Sequence, residues 1–225
     1  MKKFSFLVVS FLLLLTGCTP YTILPSVSPA PVAEEDTKTE SPEPQKNAAG
    51  FVVRETLPME TPTLSPEEAT DVSLTIDKSE HTLTMYNGEE EIAIYSIGIG
   101  KKSGAKEKEG DKKTPEGDYY VCTRNDQSKF HLALGLSYPN AQDAQRGYEA
   151  GLISQTERDA ICQQIAAGQR PSWDTALGGQ IMIHGQKGDM GGECDWSTGC
   201  VSADNDVMDI LWDYCPVGTP VHIIA

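Results

Sequence analysis

From Val72 to Ile97 the chain reads VSLTIDKSEHTLTMYNGEEEIAIYSI, a stretch that leaves little choice but a β-sheet. Val72, Leu74 and Ile76 alternate with Ser73, Thr75 and Asp77. That period of two puts one face of a strand in a core and the other toward polar surroundings. Leu83 and Met85 resume the pattern after a polar turn, and Ile92 and Ile94 resume it again. Asn87-Gly88 is a strong hairpin signal, because both residue types tolerate positive φ. TPEGDYYVCTR, FHLALGLSYPN and the terminal TPVHII read as further strands, and KKSGAKEKEGDKK as a charged loop.

Helices enter later. Ser154 stands three residues before Glu157, the pattern of a capping box. Ala160, Ile161 and Ile165 give the following helix one apolar face, and Gly168 stops it. A shorter helix is expected from about Asn140 to Gly147, after Pro139 ends a strand. A last one spans about Asp206 to Tyr214, with Val207, Ile210, Leu211 and Tyr214 as its buried stripe. The fold class expected is α+β and strand-rich: one mixed sheet or sandwich-like domain over residues 71–225, with helical inserts.

The beginning of the chain sets the compartment. Lys2 and Lys3 precede an apolar run from Phe4 to Leu15, too short to span a bilayer. Residues 1–17 therefore read as a secretory signal. It ends in Leu15-Thr16-Gly17-Cys18, which resembles the lipobox of bacterial lipoproteins. That resemblance implies cleavage before Cys18, lipidation there, and attachment to a membrane of the cell envelope. Thr19 in place of Asp favours the outer membrane, facing the periplasm, in a diderm cell; otherwise the outer face of the plasma membrane is expected. Residues 18–70 are rich in Pro, Glu, Ser and Thr, and read as a lipidated, disordered tether with too little apolar surface to offset its ordering.

Lys and Arg number 18 against 33 Asp and Glu, a formal charge of -15. Nucleic-acid partners are excluded on that balance, since they need a basic surface. Of six cysteines, lipidation of Cys18 leaves Cys122, Cys162, Cys194, Cys200 and Cys215. An odd number in an oxidising compartment implies a thiol kept free beside one or two disulfides.

IMIHGQKGDMGGECDWSTGCVSADND holds the chemistry. His184, Cys194, Asp195 and Cys200 are all metal-ligand types, but the run has no CxxC, no HExxH and no second His nearby. A Cys194–Cys200 disulfide is feasible, though it leaves an odd count. A thiol nucleophile is the third reading. Gly199 lets the backbone turn sharply before Cys200, a helix expected to follow would favour the thiolate, and His184 ends the short strand IMI as a candidate base.

IHG, STGCV, PVGTPVHI and the upstream DKKTPEGDYYV resemble the L,D-transpeptidase (YkuD-type) catalytic domain, over about Val72 to Ile224. FHLALGLSYPNAQDAQRG and LGGQIMIHG are similar to its murein L,D-transpeptidase-like branch, which includes a peptidoglycan hydrolase that releases Braun lipoprotein. The resemblance implies His184 as base with Gly185 beside it, and Cys200 as nucleophile within Ser197, Thr198 and Gly199. Thr198 stands where most members have a second His, and Ser202 where many have Arg. It further implies peptidoglycan stem peptides as substrate, with a wall-attached lipoprotein as a possible one, a thioester on Cys200, and neither metal nor cofactor. The expected attack is on the carbonyl of the third stem residue, with backbone amides near Thr198, Gly199 and Cys200 holding the oxyanion. Arg146 is a candidate contact for a stem carboxylate.

Overall fold

The computed structural model describes residues 44–225. Cys18, the signal region and the first part of the tether lie outside the described residues. Eight strands and three helices follow one another as β1 (Val72–Asp77), β2 (Thr82–Asn87), β3 (Glu90–Ser96), β4 (Gly117–Ser128), β5 (His131–Leu136), α1 (Ala141–Glu149), α2 (Gln155–Ala166), β6 (Met182–His184), β7 (Val201–Ser202), α3 (Asn205–Tyr214) and β8 (Pro220–Ile224). The expected α+β, strand-rich class is the class observed.

The strands form one sheet in the order β3-β2-β1-β8-β4-β5-β6-β7. Pairs β1–β8 and β6–β7 are parallel and the others antiparallel. The twelve-residue β4 spans the turn of the sheet, pairing β8 through its first residues and β5 through the rest. The sheet curls until the chain leaving β3 meets β7, where Gly98 bridges Ser202. Leu74, Ile76, Leu83, Met85, Ile183, Val201, Val221 and Ile223 fill the interior of that curl.

The β2–β3 hairpin differs from its expected form. Asn87 pairs with Glu90, so the two-residue loop is Gly88–Glu89, and only Gly88 has positive φ, +62°. A glycine in the first loop position is the type II′ requirement.

α1 and α2 form where their caps direct. Ser154 accepts the amide of Glu157, whose carboxylate accepts the Ser154 amide in return. Asn140 and Asp143 make the same box for α1. α1 and α2 share a small core of Ala144, Ile153, Ile161 and Leu177. α3 buries Val207, Met208, Leu211 and Tyr214 against the main core. Each such side chain contributes about 1.5–3 kcal/mol by leaving water.

The tether expectation needs correcting for its last part. Thr63 donates to the Ile92 carbonyl at 3.0 Å, Leu57 to Ser96 Oγ at 2.7 Å, and Tyr214 Oη to the Leu64 carbonyl at 2.5 Å. Leu64 packs on the core and Ala69 lies within it. Low apolar content misled the reading, because a few hydrogen bonds to β3 and α3, with Leu64 against the core and Ala69 within it, suffice to hold this segment.

No disulfide joins Cys122, Cys162, Cys194, Cys200 or Cys215; all five are free. An oxidising compartment permits a disulfide but does not bring two cysteines within reach of one another.

Candidate active site

β6 and β7 bring His184 and Cys200 together. They run parallel, with Ile183 opposite Val201 and His184 opposite Ser202. Side chains alternate along a strand. Ile183 and Val201 enter the core, so Met182 and His184 take the other face. Cys200 immediately precedes β7, and carrying the register back one residue sets it opposite Met182, on the face of His184. A cleft of about 740 Å³ is accordingly lined by Met182, His184 and Cys200, with Phe130, Trp196, Thr198 and Gln180 among its walls.

His184 ends β6 and is buried. Its Nδ1 lies 2.8 Å from the Gly185 carbonyl oxygen. A carbonyl can only accept, so Nδ1 carries the proton and Nε2 keeps the lone pair. Phe130 stacks on the imidazole at 4.7 Å, and Trp196 meets it edge-on at 5.3 Å. Burial holds the imidazole below its usual pKa; the Gly185 hydrogen bond opposes this and nearby Lys129 adds to it. A Cβ at Gly185 would lie 2.5 Å from both Asn205 Oδ1 and the Phe130 carbonyl oxygen, so only glycine fits beside the base.

Cys200 is half-buried, and its thiol points to the Gln180 carbonyl oxygen 3.6 Å away. Burial pushes the thiol pKa up, while the Met182 backbone and the Lys106 ammonium pull against that rise. The helix expected to follow Cys200, from about Asp206, is present, but its field does not reach the thiol. β7 intervenes and α3 starts at Asn205, too far along for a helix field that fades within one turn. Both shifts favour a neutral thiol and a neutral base over a thiolate–imidazolium pair.

The nucleophile loop is fastened by Ser197. Its Oγ donates to the Cys200 carbonyl oxygen at 2.6 Å and accepts the Gly199 amide at 3.1 Å. Gly199 sits at φ +137°, where a Cβ would stand 2.7 Å from the Lys113 carbonyl oxygen. Its amide being engaged, the oxyanion donors left from the expected three are those of Thr198 and Cys200. Thr198 is exposed. With Cys200 and Gln180 it also borders a second cleft, of about 750 Å³, whose walls include Lys106, Glu109 and Trp173. The thiol thus stands on a ridge between two clefts. Ser202, at the position of the family's Arg, is fully buried, and its Oγ donates to the Gly191 carbonyl at 2.9 Å.

Arg146 is not brought to this site. It projects from α1 to the buried carboxylate of Asp143. The cavity it borders, with Tyr138, Leu152 and Leu177, touches neither Cys200 nor His184. Cys194 and Asp195 also lie apart from the thiol cleft, Cys194 against Asn47 and Asp195 against Arg54 and His81. Among the described residues no group of three or more His, Cys, Asp or Glu is arranged to hold a metal ion. His81, His131 and His222 each face a carboxylate, of Asp195, Asp209 and Asp118.

Phe130, Trp196 and Gln180 are the site residues the sequence did not announce. Phe130 reads as the first residue of a strand and instead sits in the turn between β4 and β5. Gln180 holds a left-handed backbone, φ +55°, unusual for a residue with a Cβ. That conformation belongs to the residue whose carbonyl meets the thiol. Its position just after the Gly178-Gly179 pair was the one local signal.

Curled mixed sheet and shared cleft define an α+β domain with cysteine and histidine presented on one sheet face, an arrangement suited to acyl transfer. The family model of the L,D-transpeptidase catalytic domain, YkuD, matches residues 71–223. The chain belongs to that family, as its motifs implied. YafK of Escherichia coli K12 is 38% identical over 86 residues, covering 35% of this chain and 35% of YafK. Among solved structures, Bd1075 of Bdellovibrio bacteriovorus is 26% identical, with a TM-score of 0.46 over 76% of this chain and 54% of that one. The helical cell shape determining protein Pgp2 of Campylobacter jejuni is 22% identical, with a TM-score of 0.47 over 68% of this chain and 46% of Pgp2. The chain therefore spans well under two thirds of each of these proteins.

Proposed function

We propose that this chain catalyses cysteine-dependent acyl transfer on peptidoglycan stem peptides. One observation carries the reading: His184 and Cys200 line one cleft from one face of adjacent strands, with Nδ1 of the base fixed on a backbone carbonyl. In the proposed reaction Nε2 of His184 takes the thiol proton as Sγ attacks the carbonyl carbon of the third stem residue. The Thr198 and Cys200 amides, with the Thr198 hydroxyl, stabilise the resulting oxyanion. The C–N bond to the terminal D-residue breaks, and the imidazolium returns its proton to the departing amine. A thioester on Cys200 remains. An amine of a second stem then attacks it and gives up a proton to His184. The new amide forms, and Sγ leaves as thiolate and takes that proton back from the imidazolium.

Water in place of the amine gives hydrolysis, including release of a wall-attached lipoprotein. The second cleft at the thiol favours weighing this outcome beside transpeptidation, because it opens a further approach to the thioester. Lipidation of Cys18 would hold the domain at an envelope membrane, a proposal resting on Leu15-Thr16-Gly17-Cys18 alone.

Mass spectrometry after incubation with a defined disaccharide-tetrapeptide tests the reading. Loss of the terminal D-residue and an acyl adduct on the Cys200 peptide are expected, and both should vanish in Cys200→Ala. Turnover by Cys200→Ala at the wild-type rate would overturn it. Crosslinked, trimmed and lipoprotein-released products differ in mass, so the same experiment names the acceptor.

A further inference from the structure

Residues 45–57 precede the family-matched region, which starts at residue 71, yet they lie against the loop that carries the nucleophile. Asn47 Oδ1 accepts the amides of Ala49 and Phe51, folding the chain into a turn closed by the Lys46–Val52 bridge. The turn delivers Arg54. Its backbone amide donates to the Glu193 carbonyl oxygen at 2.9 Å. Its Nη2 donates to Asp195 Oδ1 at 2.8 Å and to the Ile97 carbonyl oxygen at 3.3 Å. Asp195 also receives the Ile99 amide at 3.0 Å and faces His81 Nε2 at 3.1 Å. The Arg54 guanidinium therefore joins Asp195 to the chain leaving β3, beside the direct bond from the Ile99 amide.

What is fastened there is the site. Between β6 and β7 the chain has no strand or helix of its own, so contacts from outside must fix its path. Trp196, next after Asp195, is the edge-on wall of His184. Ser197, next again, bridges Gly100 and holds Cys200 through its hydroxyl. Lys101 donates its amide to the Ser197 carbonyl at 3.2 Å, lines the His184 cleft, and carries its ammonium 5.1 Å above the Phe51 ring. Arg54 thus reaches the nucleophile loop directly, and Phe51 reaches it through Lys101, whose amide holds Ser197.

We propose that residues 45–57 are a strap that sets the nucleophile loop, with Arg54 a positioning residue acting through Asp195 and Trp196 on the His184–Cys200 pair. The proposal rests on Cys200 being the nucleophile. Losing Arg54 leaves a half-buried carboxylate with one cationic partner fewer and frees the loop to shift. Small displacements of a reacting group are costly in rate while substrate binding is spared.

The test uses the full chain with Arg54→Ala, Arg54→Lys and Phe51→Ala, beside Cys200→Ala. Three quantities are read: kcat and KM for D-residue release from a disaccharide-tetrapeptide, the rate of Cys200 alkylation by iodoacetamide, and amide exchange over residues 190–199. Arg54→Ala should keep KM within about twofold, lower kcat about tenfold, and raise exchange in the loop. Arg54→Lys should recover part of kcat, since an ammonium still meets Asp195 though without the planar fork. Wild-type kcat, alkylation and exchange in Arg54→Ala, with Cys200→Ala inactive, would overturn the strap. If Cys200→Ala still turned over, the nucleophile reading would fall, and alkylation and exchange would judge the strap alone. Should Arg54→Ala not fold, wild-type exchange and alkylation in both Arg54→Lys and Phe51→Ala would equally overturn it.

Discussion

His184 Nδ1 donates to the carbonyl oxygen of Gly185, the next residue in the chain, 2.8 Å away. The group that orients the base is thus backbone, which does not titrate and which no side-chain replacement removes. Burial keeps the imidazole below its usual value of about 6.5. The base works only when neutral, and a lowered pKa keeps it neutral at a pH where a free imidazole is already charged. The acid limb of kcat/KM should therefore fall below about pH 6.5. A pH–rate profile with that limb above neutrality would contradict the burial argument. His184→Gln should cost about 10²–10⁴-fold in turnover.

The same burial has a consequence for stability. Below about pH 6.5 the unfolded chain takes up a proton at this position that the folded chain resists. The contribution of His184 is complete above that pH and is lost as pH falls through it toward the folded pKa. Urea midpoints should decline over this range more in wild type than in His184→Gln. Equal declines would show that other groups dominate.

Gly199→Ala places a Cβ 2.7 Å from the Lys113 carbonyl oxygen at a φ of +137°. Both partners are backbone, so neither can swing aside. A loss of about 1–3 kcal/mol in stability is expected, with turnover falling further because Cys200 is the next residue. Denaturant unfolding beside D-residue release checks this; wild-type values of both would refute it.

Phe130 lies parallel to His184 and edge-on to Trp196 at 5.2 Å. Phe130→Ala removes the ring that desolvates the base, so the imidazole pKa should rise toward its usual value. NMR titration of the His184 ring, read against wild type, measures that shift. An unmoved titration would mean that Trp196 and the strand alone set the burial.

All five cysteines of the domain should react as thiols in non-reducing peptide mapping of unfolded protein. Burial raises the thiol pKa of Cys122 and Cys194 to about 11 and that of Cys215 to about 12. In the folded protein these three should alkylate slowly at neutral pH. A disulfide among Cys122, Cys162, Cys194 and Cys215 would contradict the structure.

Local physics was readable in the sequence. Ser154 with Glu157 announces α2 because both partners of the box lie within one turn, and the alternation from Val72 onward announces β1 to β3. His184 and Cys200 stood out through motifs that fix residue type and spacing. What stayed hidden depends on distant contacts. Arg54 meets Asp195 across 141 residues, and nothing near either one signals the pairing. Phe130 offered an apolar residue in a strand-like run, and its stacking partner lies 54 positions away by number. α3 was readable from its apolar stripe, whereas β7 before it was not, because two residues of strand leave no periodicity to read.

Adjacent strands in a sheet are spaced about 4.8 Å apart, and each residue advances about 3.3 Å along its strand. Cys200 stands one strand across and two residues along from His184. The offset between the backbones of base and nucleophile is therefore a repeat of the hydrogen-bonded lattice, a gauge cut into the sheet. Cleft walls away from the nucleophile loop can be exchanged around it without resetting that offset. Inheritance is then split between a fixed ruler and replaceable jaws, so new substrates can be acquired by editing the jaws alone.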